Sequence, residues 1–252
     1  MPGNKPMFWD ATALVVAEIL LSLILFATVI GLLVFTIRPH VRKYKPADLR
    51  VFERVNLLVS PATNRFMLFI TLLGKHQFLI PANLLLIFFF LFINQQTWFS
   101  IRVAAIALSS LALMFILKYL FRRKRPLSPL LKAARGLSFP SGHAIMSVTF
   151  FGTIIFIVRH SLENNFLRTS IIVLLVALII LIGFSRVYLR VHYASDVIAG
   201  FIIGILWLII SLAVLDSLEL FFKNSNDTVS YVKTAMVDNY KPPHSGEVAR
   251  YF

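Results

Sequence analysis

Long apolar stretches alternate with short polar ones along most of this chain. A bilayer core needs about 20 consecutive apolar residues when they form a helix. Six stretches approach or exceed that length, and each predicts a membrane-spanning helix: Ala11–Ile37, Phe78–Asn94, Ile101–Phe121, His143–Val158, Leu167–Phe184 and Ser195–Leu215. The first is too long for a signal-peptide core and lacks a convincing cleavage site, so we expect it to be retained. The predicted fold class is all-α, an integral membrane bundle of six helices.

The connection between the first two spans and the end of the chain differ from this pattern. Arg38–Gln77 is polar and basic at first but contains the apolar run Phe66–Gly74. That run is too short to cross a bilayer and predicts a short interfacial or re-entrant helix. After Phe222 the composition changes to Lys, Asn, Asp, Ser and Pro. We therefore predict a membrane domain over residues 1–222 and a polar, solvent-exposed tail over Lys223–Phe252.

The overall composition agrees with residence in a membrane. Hydrophobic residues make up 58% of the 252 positions and charged residues only 14%. Soluble proteins average roughly 45–50% apolar and about 25% charged residues. The chain has no cysteine, which excludes disulfides, a thiolate nucleophile and a cysteine-ligated metal.

One face of the predicted bundle carries the net charge of +14. Six spans place both termini on one side and the connections Arg38–Gln77, Lys118–Gly142 and Ser185–Ala194 on the other. With Asp196 counted there, this second side holds 17 of the 25 lysines and arginines and three of the 11 acidic residues. The distribution indicates an anion-binding surface at a membrane boundary. It argues against nucleic acid as a partner.

The first of three polar blocks on this basic side follows the third predicted span. Lys118 is followed seven positions later by Arg125 and then by Pro126. Seven residues are two helical turns, so we expect both cations on one side of a helix that Pro126 ends. Two such cations suit a phosphate. The alternative is a basic snorkelling cluster that includes Arg122–Lys124.

The second block, Phe-Pro-Ser-Gly-His at Phe139–His143, is typical of a loop that enters a helix. Ser141 could cap the helix, and Gly142 permits close backbone approach. Helix N-termini bind anions through their free N–H groups, and His143 could donate a proton to a leaving oxygen. The alternative is a capped span with an interfacial histidine.

The third block combines Ser185 and Arg186 with His192 and Asp196. His192 and Asp196 are four residues apart, so we expect them on one face at the start of the last span. A carboxylate that accepts from one imidazole nitrogen fixes the tautomer and leaves the other nitrogen free to attack. Arg186 adds a third cation. An ordinary interfacial hydrogen bond between His192 and Asp196 is the alternative.

Together the blocks match one reaction, because phosphoryl transfer needs cations, a nucleophile and an acid for the leaving group. They resemble the signature of the type 2 phosphatidic acid phosphatase superfamily, which includes lipid phosphate phosphatases and vanadium haloperoxidases. That signature is Lys, six residues and Arg-Pro; then Pro-Ser-Gly-His; then Ser-Arg, five residues, His, three residues and Asp. All three parts are present in order and with unbroken spacing. The resemblance covers roughly residues 78–215.

The resemblance implies a role for each matching residue. His192 attacks phosphorus and forms a phosphohistidine, Asp196 orients and stabilises it, and His143 protonates the leaving alkoxide and later activates water. The phosphoryl oxygens bind to a set of cations and helix-start groups: Lys118, Arg125, Arg186, Ser141 and the Gly142 backbone. The resemblance also implies catalysis without a metal or any other cofactor.

We therefore expect a metal-independent membrane lipid phosphatase that acts on a phosphomonoester or a pyrophosphate. Candidate substrates are phosphatidic acid, phosphatidylglycerol phosphate, undecaprenyl pyrophosphate and lipid A phosphate. The motifs equally allow a phosphotransferase that passes phosphate to another lipid, and they leave open an inactive lipid-phosphate binder or transporter. A vanadate-dependent haloperoxidase is disfavoured, because those enzymes are soluble and larger.

The expected location is a bacterial plasma (inner) membrane, where two arguments on orientation conflict. Lysine and arginine in short loops favour the cytoplasm. The resemblance implies the reverse, with cytoplasmic termini and an extracytoplasmic active site. We follow the resemblance, because an anion-binding face has its own reason for positive charge.

Four titratable residues outside the blocks have expectations of their own. Glu18 is the sole charge in the first predicted span, and we expect it to be structural because it lies toward the opposite face from the motifs. His76 is expected to be an ordinary interfacial histidine. Lys132 and Arg135 lie between the first two blocks and are candidates for a lid.

Overall fold

The computed structural model describes residues 45–126, 130 and 136–239, together with nine positions between residues 16 and 36. For residue 45 and residues 224–239 it describes the backbone alone. The bounded helices are α1 (Lys45–Asn56), α2 (Pro61–Leu73), α3 (His76–Phe88), α4 (Thr97–Phe121), α5 (Gly142–Ser161), α6 (Asn165–Tyr188) and α7 (Ala194–Asn239). α3 continues as a π-helix over Phe89–Ile93. The described residues contain no strand, and the all-α prediction is confirmed.

Five helices are long and apolar enough to cross a membrane: His76–Ile93, Thr97–Phe121, Gly142–Ser161, Asn165–Tyr188 and Ala194–Lys223. They coincide with five of the six predicted spans. The first predicted span, Ala11–Ile37, lies outside the described residues except for nine positions, which are helical and exposed. Glu18 also lies outside the described residues. The count of six spans therefore stays a prediction.

By its internal contacts the chain divides into two compact units. Leu23–Ala213 contains α1 to α6 and the first part of α7, and it holds every candidate site residue. The second unit is Met1–Ser22 with Val214–Phe252. α7 continues through the predicted domain boundary after Phe222, so that boundary is not a helix end. A separate polar tail stays a prediction.

The connection between the first two predicted spans contains two helices, α1 and α2, where the apolar run predicted one. α2 begins with a reciprocal cap, in which the Ser60 hydroxyl accepts from the Thr63 N–H (3.2 Å) and the Thr63 hydroxyl accepts from the Ser60 N–H (3.1 Å). One side of α2 is buried through Met67 and Ile70, while Phe66 is exposed. This two-sided character suits an interfacial helix, but its depth in the membrane stays a prediction.

α5 and α7 approach each other closely at the end of the bundle that carries the motifs. A Cβ on Gly200 in α7 would lie 2.9 Å from the carbonyl oxygen of Ser141 and 2.8 Å from the Cβ of Ala144. In the same place the Ser141 N–H donates to the Asp196 carbonyl oxygen at 3.0 Å. Small residues permit such backbone contact between membrane helices. The contact fixes the start of α5 against the first turn of α7.

Candidate active site

The three blocks meet at one end of the helices. Lys118 lies in the last turn of α4, the second block begins α5, and the third runs from the end of α6 into α7. One expectation about the first block is wrong, because α4 ends at Phe121 and Arg122 adopts a left-handed conformation (φ 48°). Lys118 and Arg125 therefore do not lie two turns apart on one helix. Arg125 reaches the site from the following loop, where its Nη1 donates to the Val191 carbonyl (2.9 Å).

His192 lies in the turn between α6 and α7 and is almost completely buried. It lies two residues before α7, which begins at Ala194, so the two side chains meet at the start of that helix. Its Nδ1 lies 3.6 Å from Asp196 Oδ2, and its Nε2 lies 3.5 Å from Arg125 Nη1. Burial lowers the pKa of His192 to about 4. The imidazole is therefore neutral at pH 7, the form that can attack phosphorus.

The Asp196 carboxylate is enclosed by donors on both oxygens. Oδ1 accepts from Arg123 Nη1 at 2.5 Å. Oδ2 accepts from the Ser138 hydroxyl (2.5 Å) and from the Tyr193 N–H (2.9 Å). The last contact is typical of an acid in the first helical turn, which reaches back to the residue before the helix. At 3.6 Å the approach to His192 is longer than a normal hydrogen bond.

Three cations from three elements surround the histidine. Arg186 in α6 is buried, and its Nη1 donates to the Thr71 hydroxyl of α2 at 2.5 Å. Lys118 Nζ donates to the Leu137 carbonyl at 2.8 Å, and its Cε lies near Gly142. Burial lowers the pKa of Arg125. The site thus concentrates positive charge away from water, an environment that favours a bound phosphate.

Three buried polar atoms of the site have no hydrogen-bond partner among the described residues: Ser141 Oγ, His143 Nε2 and Arg186 Nε. Ser141 occupies the N-cap position of α5, but its hydroxyl makes no capping bond. The alternative in which Ser141 caps the span is therefore not supported. Buried polar groups are normally paired, so these atoms, together with the cations, fit a ligand that supplies several acceptors.

The chain is similar to known proteins in sequence. The family model of the PAP2 superfamily matches residues 98–218. Phosphatidylglycerophosphatase B of Bacillus subtilis is 30% identical over 169 residues, which is 66% of this chain and 82% of that protein. This chain belongs to the PAP2 superfamily.

Two solved structures resemble this PAP2 chain. The transmembrane PAP2-type phosphatidylglycerolphosphate phosphatase of Bacillus subtilis matches with a TM-score of 0.62 and 28% identity, over 79% of this chain and 94% of the other. LpxE of Aquifex aeolicus matches with a TM-score of 0.51 and 28% identity, over 66% and 94%. Together with the five apolar helices, these relatives identify the chain as a multi-pass membrane protein of a phosphatase family.

All eight predicted site residues of this PAP2 chain are described and lie at one end of the bundle. Four further side chains at the site were missed: Asp48, Thr71, Arg123 and Ser138. Thr71 is the only hydroxyl residue in the apolar run Phe66–Gly74, a signal that sequence analysis could have used. Nothing in the sequence separates Arg123 from its basic neighbours. The suggested lid residues Lys132 and Arg135 lie outside the described residues, and His76 is exposed at the start of α3.

Proposed function

We propose that this chain is a membrane lipid phosphatase that hydrolyses a lipid phosphomonoester or pyrophosphate through a phosphohistidine on His192. One observation carries the proposal. A nearly fully buried histidine lies among Lys118, Arg125 and Arg186, beside buried polar atoms that have no hydrogen-bond partner among the described residues. The family membership supports phosphatase chemistry in general. The nucleophile, the metal independence and the substrate are our inference.

In the first half of the proposed reaction, Nε2 of His192 attacks phosphorus as the bond to the leaving oxygen breaks. Lys118, Arg125 and Arg186 neutralise the oxygens of the transferred group, and Ser141 and the start of α5 supply further donors. His143 gives its proton to the leaving oxygen. The products of this half are the dephosphorylated lipid and a phosphohistidine.

In the second half, His143 accepts a proton from water, and the water oxygen attacks the phosphohistidine. The P–N bond breaks, and inorganic phosphate leaves a neutral His192. Asp196 faces Nδ1 throughout and holds the tautomer in which Nε2 carries the lone pair. These protein groups complete the cycle, and we propose that no metal or other cofactor takes part.

The first substrate to test is phosphatidylglycerol phosphate, because the match from Bacillus subtilis is named for its hydrolysis. Phosphatidic acid, undecaprenyl pyrophosphate and lipid A phosphate complete the panel. We further propose that the chain resides in the plasma membrane of a bacterium, with cytoplasmic termini and an extracytoplasmic site. An alkaline phosphatase fusion after Phe252 should therefore be inactive. An active fusion would show that the proposed orientation is wrong.

The deciding experiment measures phosphate release by purified protein in detergent micelles, with and without a chelator. His192→Ala should abolish release. His160→Ala is the matched control, because His160 is exposed at the far end of α5, and it should retain full activity. Phosphate release that persists in His192→Ala would refute the assignment of His192 as the nucleophile. Release abolished by the chelator would refute the metal-free mechanism.

A lipid phosphotransferase is the second candidate, since the same phosphohistidine can be captured by a hydroxyl instead of water. Incubating the protein with a labelled lipid phosphate and an acceptor lipid distinguishes the two. Hydrolysis yields labelled inorganic phosphate, whereas transfer yields labelled acceptor lipid. If a folded protein yields neither from any lipid in the panel, the result refutes both activities on these lipids and favours an inactive lipid-phosphate binder or transporter.

A further inference from the structure

Arg123 lies immediately beyond α4 and is buried, whereas its neighbours Arg122 and Lys124 are exposed. Its Nη1 donates to Asp196 Oδ1 (2.5 Å) and to the Ser195 hydroxyl (2.8 Å). The guanidinium also lies 4.1 Å from the ring centroid of Tyr193, a cation–π contact. An arginine in such contacts does not snorkel to the membrane surface. It belongs to the structure around the catalytic carboxylate.

Asp48 holds the other side of the same guanidinium. This residue of α1 is buried, and its Oδ2 accepts from Arg123 Nη2 at 2.8 Å. Its Oδ2 also accepts from the Ser195 hydroxyl (2.9 Å) and its Oδ1 from the Ser195 N–H (3.1 Å). Asp48, Arg123 and Asp196 therefore form a continuous chain of alternating charge from α1 to α7.

This chain of contacts determines which way Asp196 faces. A buried carboxylate is costly to keep ionised unless a cation and hydrogen bonds compensate for the lost water. Arg123 supplies the cation on Oδ1, and this leaves the Oδ2 edge toward His192 Nδ1. Asp48 in turn neutralises Arg123 and keeps its guanidinium from rotating. Without Arg123, the Asp196 carboxylate would keep the Ser138 and Tyr193 donors on Oδ2 but would lose the cation that fixes Oδ1 and favours the ionised form.

We propose that Arg123 and Asp48 are positioning residues of the reaction: Arg123 holds the Asp196 carboxylate toward His192, and Asp48 holds Arg123. This inference rests on the proposed function, in which His192 is the nucleophile. Neither residue touches the phosphoryl group, which binds to Lys118, Arg125 and Arg186. Loss of the pair should therefore lower kcat and leave the KM for the lipid nearly unchanged.

The test compares Arg123→Gln with wild type in the micelle assay. We expect kcat to fall about 10- to 100-fold, the range seen when the hydrogen-bond partners that orient metal-ligating histidines are removed. The KM should stay within about twofold of the wild-type value. Arg123→Lys keeps the charge and should recover part of the loss. Lys124→Gln is the matched control, because Lys124 is an exposed cation one position away, and it should match wild type.

Asp48→Asn provides an independent variant, because it keeps the size and part of the hydrogen bonding of Asp48. It should lower kcat less than Arg123→Gln does. The double variant should be no worse than Arg123→Gln alone, since both act through Asp196. If Arg123→Gln does not fold in detergent, a folded Asp48→Asn with wild-type kcat overturns the proposal. A raised KM with an unchanged kcat in either variant also overturns the proposal.

The acid limb of the pH profile gives a readout that a purely structural role would not move. The charged groups that act on His192 are Asp196, Arg125 and Arg186, and Lys118 and His143 belong to the same cluster. Removing the nearby positive charge of Arg123 should move the acid limb of kcat/KM to higher pH. An unmoved limb with wild-type kcat overturns the proposal. It leaves the phosphohistidine mechanism intact as long as His192→Ala is inactive.

Discussion

Gly200 sets the separation of α5 and α7 at the active site, and one added methyl group tests that role. An alanine Cβ at this position would meet the Ser141 carbonyl oxygen at 2.9 Å and the Ala144 Cβ at 2.8 Å. Carbon atoms pack at about 3.5–4.0 Å, so the two helices must move apart by roughly 0.7 Å. Neither contact is the end of a flexible side chain. The backbone at the start of α5 has to move.

This movement displaces Ser141 and His143 relative to Asp196. Overpacking costs about 1–3 kcal/mol, and the helix preference of alanine over glycine offsets roughly 0.5–1 kcal/mol of it. The net destabilisation should therefore not exceed about 2.5 kcal/mol. A misplacement of about 1 Å can slow an enzyme about 100-fold. We expect Gly200→Ala to lower kcat about 10- to 100-fold.

Phosphate release measures kcat, and thermal unfolding in the same detergent measures stability. Gly204→Ala is the matched control one turn further along α7, because its Cβ would lie 3.0 Å from the Val148 Cβ and 3.2 Å from the Ile145 carbonyl oxygen. These contacts are milder and involve no motif residue, so kcat should stay within about threefold. Full activity in Gly200→Ala, or equal losses at both positions, would refute the reasoning.

Further expectations concern the histidine, the phosphate cations and a phosphate analogue. Because burial lowers the pKa of His192 to about 4, its neutral form is present above that pH, and kcat/KM should show no acid limb from this group between pH 7 and about pH 5. A limb with its midpoint near 6.5 would contradict this. Thr71→Val removes the hydroxyl that accepts from Arg186 and should raise KM about 10-fold, whereas Thr71→Ser should not. Orthovanadate should inhibit in competition with the lipid, and the absence of inhibition would count against the cation pocket.

Much of this architecture follows from local sequence patterns. Five apolar runs coincide with helices, because the length and polarity of a run fix whether it can cross a bilayer. The three blocks converge because each lies at a span end and successive spans alternate in direction. The convergence of Lys118, Arg125 and Arg186 was therefore predictable without a structure. The detailed geometry was not: α4 ends at Phe121, five residues before the proline that was expected to end it.

The missed residues share one property, which is that their importance arises from contacts distant in sequence. Arg123 contacts residues 73 and 75 positions away, and the run of four basic residues over 122–125 gives no indication that Arg123 turns toward Asp196. The chain leaves the helix through a left-handed conformation at Arg122, directly before Arg123. Likewise, Asp48 belongs to the short amphipathic helix α1. Only the tertiary packing of α1 brings its buried side to the site. Propensity and spacing describe one element at a time and cannot supply such pairings.

The unpaired hydroxyl of Ser141 has a consequence for directed evolution of this protein. The side chain is fully buried and makes no hydrogen bond to a described residue, which costs about 1–3 kcal/mol in the folded protein. For folding alone, alanine would be the better residue at this position. A screen that selects only for thermostability should therefore enrich Ser141→Ala and accumulate weakened enzymes, because stability and turnover oppose each other at this helix start.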